Sequence, residues 1–169
     1  MIITSNLSSI VQRQAALGTY RPDEFVPSPY MAAYWSGHVI EELTEFWDAA
    51  IENKPSEAAD VLIFLQTYTA LLYPKNSLVL NLSKIALAYR PDAKNYLVLI
   101  QVLRQNAYNR KSWKSYSSLT FSNFCKAVVA PILGLLLYYV EPAQLLTCYN
   151  QKLKYNLSRT DWGLRAKCL

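Results

Sequence analysis

The chain predicts an all-α protein, a helical bundle around a central antiparallel helix hairpin. Three observations lead there. Apolar residues recur at helical spacing along most of the 169 residues, strand alternation is nearly absent, and prolines fall at the edges of the periodic stretches. With 52 % hydrophobic residues and only four glycines, the chain can bury a sizeable core and does not read as disordered. One domain, 1–169, is the expectation at this length.

Helices are expected at about 5–17, 30–52, 55–73, 77–89, 94–108, 120–139 and 142–158. RPDEFVPSP (Arg21 to Pro29) reads as an ordered connection before the second of them. The breaker NKPS separates 30–52 from 55–73, which together form the central hairpin, and YRPDAK (Tyr89 to Lys94) divides the next pair. The longest apolar run, Ala127 to Val140, contains Pro131 and Gly134 and falls short of the roughly 18 residues of a spanning helix, so it reads as a core helix with no membrane partner. The stretch of about 75–120 matches no motif and is expected to cover a site or build an interface.

The two arms of the hairpin carry the chemistry. EELTEFWDAAIE (Glu41 to Glu52) places Glu42 and Glu45 three residues apart, and EAADVLIFL (Glu57 to Leu65) does the same for Glu57 and Asp60. Such pairs share one helix face. Leu43, Phe46, Val61, Leu62 and Leu65 interleave with them and draw the acids toward the buried side, where like charges repel unless a divalent cation sits among them. Glu42, Glu45, Glu57 and Asp60 are therefore the candidate ligands of Mg²⁺, with Mn²⁺ as a substitute. The gap from Glu45 to Glu57 is short, so an ideal hairpin offsets the two pairs unless the first helix stops early or tilts; Asp48 is then the spare ligand. Glu41 and Glu52 are expected to face solvent.

Other chemistries are excluded one by one. A net charge of +5 without a basic tract, its densest patch being RKSWK (Arg110 to Lys114), argues against a nucleic-acid polymer and suits a polyphosphate ligand. The single histidine, His38, rules out multi-histidine zinc sites, and it reads as an ordinary helix residue. Scattered glycines exclude a phosphate-binding loop. Cys125, Cys148 and Cys168 are odd in number and without CxxC spacing, and the start MIITSNLSSI lacks a signal pattern, so a reducing, cytoplasmic setting is expected and the Asn-x-Ser matches at Asn6, Asn81 and Asn156 carry no glycosylation meaning. Thirteen Tyr and four Trp suit base stacking or a subunit interface. Apolar residues on several sides of Val61 to Leu65 lead us to expect a homodimer or tetramer.

The ExxE and ExxD pairs, with EE before them, Asp48-Ala49 and the DVLIFL run, resemble the all-α NTP pyrophosphatases, the MazG-like enzymes and the dimeric dUTPases and dCTPases. A second stretch, YNQKLKYNLSRTDW, places Tyr149, Lys152, Asn156 and Arg159 on one helix face, similar to the Tyr-x-x-Lys-x-x-x-Asn-x-x-Arg motif of the dUTPase and dCTPase branch. The resemblance implies hydrolysis of a nucleoside triphosphate to a monophosphate and pyrophosphate with one to three Mg²⁺ held by the four carboxylates. Glu45, ahead of Glu42, doubles as the base for the attacking water. Lys152 and Arg159 hold the triphosphate, Asn156 reads the base or sugar, and Tyr149 or Trp162 stacks; the branch's amino-terminal Gln falls near Gln12 or Gln14. Within this reading a pyrimidine-specific dUTP or dCTP diphosphatase is the narrower alternative. A non-catalytic helical interaction protein on the same scaffold is the alternative of another class.

Overall fold

The computed structural model describes residues 1–10, 29–88, 93–108 and 119–158. In chain order these form β1 (Ile2–Asn6), α1 (Pro29–Asp48), α2 (Lys54–Leu72), β2 (Ser77–Asn81), α3 (Leu82–Ala88), α4 (Ala93–Tyr108), α5 (Phe121–Tyr139) and α6 (Pro142–Ser158). The fold is mostly α-helical, as the sequence predicts, with one small two-stranded sheet added.

At the centre lies α2. Ala58, Ala59, Val61, Leu62, Leu65 and Tyr68 are all fully buried, so apolar residues occupy more than one side of the helix. Its sides are taken up by α1, α6 and part of α5, while α4 packs on the far side of α1 and α3 packs on α5. From α1, Val39, Leu43 and Phe46 enter the core at spacings of four and three residues.

The hairpin between α1 and α2 is shorter than expected, because α1 stops at Asp48 rather than near residue 52. Lys54 explains the stop. Its side chain is only 9 % exposed, and its ammonium donates to the carbonyls of Phe46 at 2.8 Å and Trp47 at 3.1 Å, two of the acceptors a helix end leaves without partners. The same ammonium lies 4.8 Å from the Phe46 ring centre and 5.2 Å from that of Tyr139. Pro55, in the first turn of α2, then starts the second helix where its missing N–H costs nothing.

Two expected helices begin differently. Residues 2–6 and 77–81 are antiparallel strands in the register Ile2↔Asn81 to Asn6↔Ser77, so neither the helix expected from 5 nor the one expected from 77 starts there. Ile3, Ser5, Leu78 and Leu80 face inward and their neighbours outward, a period of two over only five residues. Each strand hands over to a helix at an asparagine. The Asn6 side-chain oxygen accepts from the N–H groups of Ser8 and Ser9, and that of Asn81 accepts from the N–H of Lys84, which is N-capping in both cases. Two of the three Asn-x-Ser matches are thus strand-to-helix caps.

α5 runs through Pro131 without a break. Residues Cys125–Val129 form a π turn in which the Ala130 N–H reaches the Cys125 carbonyl, and the widened turn accommodates a proline that cannot donate to the helix. At 19 residues with a mean hydropathy of 1.6, α5 is, among the described residues, long and apolar enough to cross a membrane, contrary to the expected shortfall. Phe124, Val128, Val129, Ile132, Leu133, Leu135 and Leu136 are nevertheless buried within the fold, and the core-helix reading rests on them.

Candidate metal and substrate site

Glu42 comes from the fourth turn of α1, Glu57 and Asp60 from the first two turns of α2. One carboxylate oxygen from each lies within 4.8 Å of the others. All three residues are half-buried. The site exists because Leu43 and Phe46 on one helix and Ala58, Ala59, Val61 and Leu62 on the other are drawn into the core beside it, which carries the adjacent acids to its rim.

The electrostatics follow from that crowding. Burial, then the charges of Asp60, Glu45 and Glu57, push the Glu42 carboxyl from 4.5 up to about 7, against the opposing field of Lys152. Lys152, from α6, is ion-paired with Asp60 across the site. A second polar link fixes α6 in place one turn earlier. The Tyr149 hydroxyl donates to Gln66 at 2.8 Å, and the Gln66 amide donates to Ser5 of β1 at 3.1 Å, both buried. As the chain passes from Tyr149 to Lys152 its partners move from Gln66 back to Asp60, so α6 runs antiparallel to α2. Asn156, one turn beyond Lys152, is half-buried.

No protein-family model, curated protein or solved structure matches this chain. The resemblance to the all-α NTP pyrophosphatases thus rests on the motifs, and the site is judged on its own residues.

Of the expected site residues, Glu42, Glu57, Asp60 and Lys152 are brought together. Glu45 is not in the group. It is exposed and lines a neighbouring cleft of about 370 Å³ with Gly37, Ile40, Glu41, Thr44 and Arg104. Asp48 is exposed at the end of α1 and also stands outside the group, while Glu41 and Glu52 are solvent-facing as expected. Tyr149 is only 6 % exposed and its hydroxyl is engaged by Gln66, so it serves to seat α6 rather than to offer a stacking face. Arg159, Trp162, Gln12 and Gln14 lie outside the described residues, as does the RKSWK patch.

His38 is not part of the acidic group. Its Nδ1 is 2.8 Å from Glu41, and its ring lies 4.4 Å from that of Tyr34 and 5.5 Å from that of Phe64, inside an aromatic cluster along the hairpin. Sequence reasoning missed Gln66, Ser5 and Lys54. The one amide side chain in the largely apolar run VLIFLQTYTALL was the signal available for Gln66.

The donor set fits a hard divalent cation. Three carboxylates supply oxygen only, and two ligand oxygens of one Mg²⁺ lie at most about 4.2 Å apart, so small side-chain rotations suffice to close the group. Among the described residues one ammonium opposes three carboxylates, which leaves room for further positive charge.

Proposed function

We propose that this protein is a divalent-cation-dependent nucleoside triphosphate pyrophosphohydrolase. The observation that carries the reading is the convergence of Glu42, Glu57 and Asp60 from the two hairpin arms with Lys152 from α6, since two separate sequence motifs single out those same residues.

Glu42, Glu57 and Asp60 would hold the cation, which supplies charge neutralisation for the polyphosphate and activation of water. Hydrolysis adds water across the α–β bridge: one phosphorus gains the water oxygen, the bridging oxygen leaves with the other, and a proton is released. The motif gives the role of base to Glu45, one turn from Glu42 and exposed in the adjacent cleft, which would have to rotate toward the cation site to orient the water and take that proton. Lys152 compensates negative charge on the phosphates in the transition state, assisted by Arg159, and Asn156 reads the base or sugar. The motif that contains these residues leans toward a pyrimidine deoxynucleotide.

One observation favours the non-catalytic alternative. The ion pair of Lys152 with Asp60 already satisfies part of the cluster, as a purely structural ion pair would. Pyrophosphate release measured with Mg²⁺ across the ribo- and deoxynucleoside triphosphates separates the two. The enzyme reading expects turnover of at least one nucleotide, highest for a pyrimidine deoxynucleotide; no release from any of them contradicts it.

A further inference from the structure

Lys152 has two roles available and one side chain to perform them. In the structure its ammonium is committed to Asp60, a carboxylate the cation site needs, and the two side chains are 27 % and 25 % exposed, at the boundary between core and solvent. The backbone beneath it is fixed, because the Tyr149 to Gln66 hydrogen bond one turn away anchors α6 to α2. A four-carbon stem can therefore swing while the helix stays where it is. Charge makes the swing favourable. An ammonium offers one positive charge to a group of three carboxylates; a divalent ion offers two, binds all three oxygens at once and repels the ammonium from the oxygen they would share.

We propose that Lys152 is the internal counter-ion of the cation-free site, displaced from Asp60 when a divalent cation enters between Glu42, Glu57 and Asp60, and that the released ammonium then binds an oxyanion of the polyphosphate class. The inference rests on the cation site proposed above and adds an order to its filling: cation first, then phosphate. The lysine guards the carboxylates against mutual repulsion in the empty protein and becomes an anion ligand only when the cation is present.

Amine labelling of the full-length protein, read by mass spectrometry at fixed pH, follows the exchange directly. Exposed Lys154, two residues along α6, serves as the internal reference. Relative to Lys154, Lys152 is expected to label slowly in chelator, several-fold faster with Mg²⁺, and slowly again with Mg²⁺ plus inorganic pyrophosphate. Calorimetry run alongside should find Mg²⁺ bound about tenfold more tightly by Lys152→Met, which has no ammonium to displace. If the wild type binds Mg²⁺ while Lys152 labelling stays constant, the exchange is overturned and the cation site stands. If neither wild type nor Lys152→Met binds Mg²⁺ or Mn²⁺, the site reading falls and the exchange with it.

Discussion

Glu42 sits half-buried beside three other acids, and that placement fixes the sign of a pH effect. Without a cation, the folded protein keeps the Glu42 proton up to about 7, whereas the unfolded chain releases it near 4.5. Between those values the folded state binds more protons, so stability falls as pH rises through the window and the loss is complete above it. Solvent screening of this half-exposed group reduces the cost to about 1–2 kcal/mol. Thermal melts in chelator should therefore show the wild type losing roughly 3–6 °C more than Glu42→Gln between pH 5 and pH 8, and parallel curves would refute the crowding. Glu45 predicts a different split. Glu45→Gln should keep cation affinity within about twofold and lose a hundredfold or more in kcat, about 2.7 kcal/mol, whereas equal loss of both would return Glu45 to the ligand set. Single residues explain why the sequence reading came close here and no closer. Helix geometry brings Glu57 and Asp60 to one rim, but three residues is 60° short of a full turn, and that rotation is enough to send Glu45 toward Arg104 while Glu42 faces α2. The buried link from Tyr149 to Gln66 spans 83 residues and depends on how two helices pack, which no local pattern records.

Among the elements, two helices were readable to within a residue or so at both ends, 55–73 at Lys54–Leu72 and 120–139 at Phe121–Tyr139, and those expected at 94–108 and 142–158 are helical throughout the described residues. The strands were not readable. Five residues give too few alternations to register against a helical background, and their pairing joins segments more than seventy residues apart. The early end of α1 was expected only as one way to align the two acidic pairs, and its place at Asp48 was not readable, because it depends on a lysine folding back over the preceding helix end. Lys54→Met should cost about 1–3 kcal/mol in urea unfolding, since it strips the Phe46 and Trp47 carbonyls of a charged donor in a buried place; an unchanged midpoint would mean that the cap is idle. Tyr149→Phe leaves the Gln66 oxygen buried without its donor and should cost about the same. If Tyr149 instead served the substrate directly, activity would fall with no loss of stability.

For the molecule as a whole, composition and periodicity sufficed to place it among the all-α folds with a central hairpin, because one helix buried on several sides needs neighbours on several sides. Assembly is the open expectation at this scale. Leu97 and Val98 on α4 and Tyr138 on α5 are more than half exposed, and large apolar side chains left in water favour a subunit contact. Light scattering at micromolar concentration should give a dimer or tetramer of the 19.3 kDa chain, and a monomer alone would contradict that expectation. The central claim is that Glu42, Glu57 and Asp60 form one cation site, and Mn²⁺ titration followed by electron paramagnetic resonance tests it most directly. The wild type is expected to bind Mn²⁺ saturably and Mg²⁺ to compete for the same site, with Glu57→Gln and Asp60→Asn each weakening it tenfold or more while far-ultraviolet dichroism stays unchanged. Equal Mn²⁺ binding by the wild type and both variants would contradict it.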